Sequence, residues 1–173
     1  MFTSAHLLAI SPLIILSVSA TLLMLLIAFS RHHDINATFT VVGLMATLFA
    51  TLGLWYWIPQ DNAIQVTDLL LVDRFSCFFG ALMLVTTLAC CTLSHTYMKD
   101  FPGNREELYL LLLLSLIGAL VLVSSRHFAS LFVGLEMLSM PIYGLVAYHR
   151  KNPRSLEAGI KYLVLSAVGS ALL

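Results

Sequence analysis

Long uncharged blocks, rather than short alternating runs, organise the apolar positions of this chain. Leu7–Ser30, Ile35–Ile58, Phe75–Met98 and Leu108–Ser125 contain no Asp, Glu, Lys or Arg. Phe128–Tyr148 contains one such residue, Glu136, and Ser155–Leu173 contains two, Glu157 and Lys161. A hydrocarbon layer about 30 Å thick is crossed by about 20 helical residues. The pattern therefore predicts an all-α integral membrane protein, a bundle of about six transmembrane helices. The connectors between blocks are short, as antiparallel neighbouring helices require. Before the sixth block, Asn152 suits a helix cap, Pro153 a first turn, and Glu157 the positive end of the helix. The longest connector, Pro59–Arg74, sets Asp61, Asp68 and Asp73 around an apolar Leu69–Val72 patch. That patch either lies along the membrane surface or packs against the bundle.

Composition agrees with a lipid-facing chain. Of 173 residues, 60% are hydrophobic and 10% charged, and the mean hydropathy is +0.94. A soluble domain of this length needs far more polar surface. The formal net charge is zero, and no basic cluster suggests nucleic acid as a partner. The partner implied is the lipid bilayer. The first block has no Lys or Arg before it and runs uncharged from Leu7 to Ser30. A signal peptide carries a basic leader and an apolar core of about 7–15 residues, so this block reads as a retained helix. Cys77, Cys90 and Cys91 fall in one block without CxxC spacing and read as small buried apolar side chains. Loops after blocks one, three and five carry Arg31, Lys99, Arg105, Arg150, Lys151 and Arg154, whereas the opposite side carries only Arg74 and Arg126. The positive-inside rule then sets the N-terminus outside, on the periplasmic side of a bacterial inner membrane, with the basic loops in the cytoplasm. Trp55, Tyr56, Trp57, Tyr97 and Tyr148 suit an interfacial belt. Because the sixth block ends in an apolar run at Leu173, residues 1–173 read as one transmembrane domain, the front part of a larger membrane protein.

Glu136 is the residue whose position demands explanation. At 1.5 Å per residue it lies about 12 Å from one end of the fifth block and about 18 Å from the other. An ionised carboxylate near mid-membrane is costly unless paired, hydrated or protonated. A carboxyl in that setting suits a proton relay; a permanently protonated glutamate bonded to a neighbouring helix is the structural alternative. Pro141 removes the helix hydrogen bond to the Met137 carbonyl, which either opens a path for water beside Glu136 or simply shapes the bundle. Lys161 lies about 9 Å into the sixth helix. It is either an i, i+4 partner of Glu157 or an electrostatic partner of Glu136, reached through water because the two differ in depth. His6, His32, His33, His95, His127 and His149 sit at block ends or in connectors and read as interfacial anchors, with no metal-binding constellation. The Asn36-Ala37-Thr38 sequon falls at a cytoplasmic edge, where glycosylation is not expected. No nucleotide loop, catalytic triad or redox-centre ligand set is present.

Two stretches carry a family resemblance: Phe128-Ala-Ser-Leu-Phe-Val-Gly-Leu-Glu136-Met-Leu-Ser-Met-Pro141-Ile-Tyr-Gly-Leu-Val and Arg154-Ser-Leu-Glu157-Ala-Gly-Ile-Lys161-Tyr-Leu-Val-Leu-Ser. With them the whole chain resembles the antiporter-like membrane subunits of respiratory complex I, the NADH-quinone oxidoreductase. The resemblance implies the front portion of an antiporter-like fold of about fourteen helices. It implies a proton-translocating subunit of an enzyme complex, with Glu136 and Lys161 on a polar axis and other membrane subunits of complex I as partners. It also implies that this chain binds no cofactor, while NADH, FMN, iron-sulfur clusters and quinone are handled elsewhere in the complex. A multisubunit cation/proton antiporter subunit and a purely structural membrane subunit are the alternatives.

Overall fold

The computed structural model describes residues 4–29, 31–58, 63–99 and 103–173; Ser30, Pro59 and Asp61 lie outside them. Six helices follow the six blocks: α1 Ser4–Phe29, α2 His33–Trp57, α3 Arg74–Met98, α4 Glu107–Val123, α5 Phe128–Val146 and α6 Pro153–Ala171. A two-residue-per-strand hairpin, β1 Ile64–Gln65 and β2 Leu71–Val72, separates α2 from α3. By length and composition α1, α2, α3 and α5 are fit to cross a membrane, and α4 is apolar but only 17 residues long. Helix α6 is long enough but carries Arg154, Glu157 and Lys161 within its 19 residues.

Helices α1 to α4 enclose the core, where Leu16, Leu23, Leu44, Leu84, Tyr109 and Leu113 are almost wholly buried. In a lipid setting polar atoms must find partners inside the protein. The buried threonines of α2 do so on their own helix. Thr40, Thr47 and Thr51 donate to the carbonyls of Asn36, Gly43 and Thr47 at 2.7–2.8 Å. Asn36 and Ala37 of the sequon are buried against the bundle, so no glycan fits there.

Helix ends depart from the apolar blocks by a few residues, each for a local reason. Asn152 accepts from the Arg154 amide at 3.1 Å and Pro153 opens α6, as its sequence predicts. Helix α3 starts one residue before its block because Asp73 and Ser76 close a reciprocal cap, Ser76 N donating to Asp73 Oδ1 at 2.7 Å. Helix α4 stops at Val123, and the carbonyl of Ser124 turns to accept from the Leu71 amide of the hairpin at 2.8 Å. Arg126 N also donates to the Leu69 carbonyl, which accepts from Ser130 Oγ as well. The Leu69–Val72 patch therefore packs against the bundle. Helix α5 ends at Val146, two residues short of its block. Beyond it the Tyr148 hydroxyl donates to the Asn104 carbonyl at 2.7 Å and accepts from the Leu108 amide at 3.0 Å. Tyr148 thus serves the first turn of α4.

Candidate functional site on helices five and six

Helix α5 is held at both ends and along one face. At its start, His127 and Ser130 form a reciprocal cap, and the Ser130 hydroxyl ties that cap to the hairpin. Along its length two glycines set its distance from α4. A Cβ on Gly118 would fall 2.3 Å from the Leu138 amide nitrogen and 2.5 Å from the Met137 carbonyl carbon. A Cβ on Gly134 would fall 2.8 Å from the Leu122 nitrogen. Such backbone-to-backbone approach is what small residues permit where helices associate by packing alone.

This seam defines the rotation of α5. Gly134 and Leu138 face α4, and Pro141, seven residues after Gly134, is buried on the same side. Glu136 is two residues from Gly134, about 200° round the helix at 100° per residue, and is half-buried. Pro141 and Glu136 thus lie on opposite faces, and α5 runs unbroken past both. Tyr143, seven residues beyond Glu136, shares its face and meets Tyr162 of α6 with ring centroids 5.5 Å apart. Glu136 therefore faces the side on which α6 packs. Among the described residues it has no hydrogen-bond or ion-pair partner.

Helix α6 touches the bundle through α5. Ser155 Oγ donates to the Val146 carbonyl at 2.8 Å, and a Cβ on Gly159 would lie 2.7 Å from that of Ala147. With the Tyr143–Tyr162 contact, these fix an antiparallel register that sets Glu136 level with residues 166–170. Ser166 and Ser170 continue the Ser155, Gly159, Tyr162 face of α6 and are half-buried. Lys161 does not share that face. It lies about 200° round the helix from Gly159, and its Nζ is 2.6 Å from Glu157 Oε1, with the two side chains 70% and 62% exposed. The structure brings Lys161 to Glu157, on the side of α6 turned away from α5. Among the described residues no ion pair joins it to Glu136.

The expectation that no histidine joins a metal-binding constellation is corrected for His33 and His95. Packing of α2 on α3 brings His33, Asp34 and His95 together as a group whose ligand atoms lie within 4.8 Å of one another. About 60 positions separate His95 from the other two, so no local spacing marks the cluster.

Apolar spans, a half-buried carboxyl near the middle of one and a lysine-bearing helix packed on that span define a multi-pass, all-α membrane protein. The family model described as "NADH:quinone oxidoreductase/Mrp antiporter, TM" matches residues 125–173, the stretch that forms α5 and α6. The particular resemblance is to subunit N of NADH-quinone oxidoreductase. The subunit N of Ectopseudomonas mendocina is 50% identical over 99% of this chain, and that of Chromohalobacter salexigens 53% identical over 96%. Among solved structures, a chain of respiratory complex I from Thermus thermophilus superposes with a TM-score of 0.77 at 31% identity over 92% of this chain. This chain spans about a third of the length of each: 35%, 34% and 34%.

Proposed function

We propose that this chain forms part of a proton-translocating membrane subunit of NADH-quinone oxidoreductase, in which Glu136 exchanges a proton during turnover. The observation that carries this reading is the setting of Glu136: near the middle of an apolar span, half-buried, and without a partner among the described residues. Carboxyls within transmembrane spans are costly to place there and mark proton and ion pathways. Ser166 and Ser170, level with it on α6, offer hydroxyls that relay protons or hold water. Lys161 acts at longer range in this reading. Its charge is shared with Glu157, so any influence on Glu136 passes around α6 through water rather than by contact. NADH, FMN, iron-sulfur clusters and quinone belong to other parts of the complex, whose electron transfer alters the charge state of the polar axis. The basic loops face the cytoplasm of a bacterial inner membrane.

The family description also covers cation/proton antiporters, but the relatives at about 50% identity carry the NADH-quinone oxidoreductase name. The test is NADH-driven proton pumping in inverted vesicles with Glu136→Gln in the assembled complex. Strong loss of pumping with assembly intact is the expected result. Unchanged pumping removes Glu136 from the mechanism. Sodium-dependent transport in vesicles without the respiratory complex supports the antiporter reading instead.

A further inference from the structure

The start of α2 meets the end of α3. His95 Nε2 lies 3.0 Å from Asp34 Oδ1, and the His33 and His95 rings stack with centroids 4.9 Å apart and planes 8° from parallel. Beneath them Tyr109 of α4, wholly buried, brings its hydroxyl 3.5 Å from His33 Nε2. We propose that His33, Asp34 and His95 form a binding site for one divalent cation of the zinc class.

The donor set is the first reason. Two imidazoles and one carboxylate suit zinc and its neighbours, whereas magnesium and calcium take oxygen ligands. Three protein ligands leave a fourth position for water. Geometry is the second. Ligands about 2.0–2.1 Å from a tetrahedral zinc stand about 3.4 Å from each other, and the His95–Asp34 pair is already at 3.0 Å. The hydrogen of that bond occupies the cation's place, so the cation binds with the Nε2 lone pair of His95 free and any ring proton on Nδ1. His33 must turn out of its parallel stack on His95, because the lone pairs of parallel rings do not converge on one cation, and close from within 4.8 Å to bonding separation. Little holds it back. Its Nδ1 is buried without a hydrogen bond, and its Nε2 has only long contacts, 3.3 Å to the His95 carbonyl and 3.5 Å to Tyr109. Binding therefore replaces weak contacts and an unsatisfied nitrogen with a coordinate bond. Three ligand atoms within 4.8 Å of one another have room for one ion. The bound cation clamps the α2 N-terminus to the α3 C-terminus.

The test uses the purified complex containing this chain, equilibrated with zinc sulfate and desalted. The wild type is expected to retain one zinc more than His95→Gln, a variant that keeps a donor for Asp34. Zinc affinity at the site falls about tenfold or more in the variant. His33→Gln gives the same result, and covers the case in which His95→Gln fails to assemble. In the wild type, zinc protects His95 from diethyl pyrocarbonate, read by peptide mass. Equal zinc content in the wild type and an assembled variant, or modification of His95 at the same rate with and without zinc, overturns the proposal and leaves a hydrogen-bonded clasp.

Discussion

Replacing Gly118 by alanine adds one methyl group where α4 and α5 are in backbone contact. That Cβ would stand 2.3 Å from the Leu138 nitrogen, while ordinary contact begins near 3.4 Å. The obstacle is backbone, which cannot rotate aside, so the two helices must separate locally by about 1 Å. Overpacking of this kind costs about 1–3 kcal/mol. In lipid no hydrophobic drive between helices compensates for the lost contact. The displaced residues, Met137 and Leu138, adjoin Glu136, so the carboxyl moves with them. Gly53 is the matched control, because a Cβ there meets nothing within 4 Å. Gly53→Ala removes a residue about 1 kcal/mol less favourable in a helix interior and is expected to be neutral or mildly stabilising. The assay is thermal and denaturant stability of the detergent-purified complex, with NADH-driven pumping measured on the same samples. Gly118→Ala is expected to lower both stability and pumping, and Gly53→Ala neither. Equal behaviour of the two variants refutes the close α4–α5 seam as the element that positions Glu136.

Tyr148→Phe should cost about 1–2 kcal/mol, since the buried Leu108 amide and the Asn104 carbonyl both lose the hydroxyl; denaturant titration measures it. Burial pushes the Tyr148 phenol up to about 12. A folded-state value raised above the unfolded value of about 10 stabilises the fold below pH 10, and that contribution is lost as pH rises from about 10 to about 12. The phenylalanine variant should lack this part of the alkaline loss. Neutralising Glu157 alone leaves Lys161 an unpaired charge on a helix expected to lie in lipid. Glu157→Gln and Lys161→Gln singly should therefore reduce assembly more than the double substitution does, read as complex recovered per milligram of membrane. Additive losses would show that the pair at 2.6 Å has no energetic role.

Runs of uncharged residues long enough to cross a bilayer determined most of the architecture. Six helices, their order and their boundaries to within about three residues follow from where Asp, Glu, Lys and Arg interrupt those runs, because a charge in lipid is costly wherever it stands. The cap at Asn152–Pro153 and the i, i+4 pairing of Glu157 with Lys161 are equally local and equally legible. Glu136 stands out for the same reason, as the one formal charge in its block. Rotation and register were beyond the linear pattern. Blocks apolar on every side carry no amphipathic stripe to say which face meets which neighbour. Only the packed structure shows that Gly118 and Gly134 form a seam, that Glu136 therefore turns from α4 toward α6, and that Gly159 turns Lys161 the other way. The hairpin's hold on Ser124 and Arg126, the hydroxyl of Tyr148 beneath α4, and the meeting of His33 and Asp34 with His95 belong to the same class. Each joins residues tens of positions apart, and it is the close approach of whole helices that brings them within hydrogen-bonding reach.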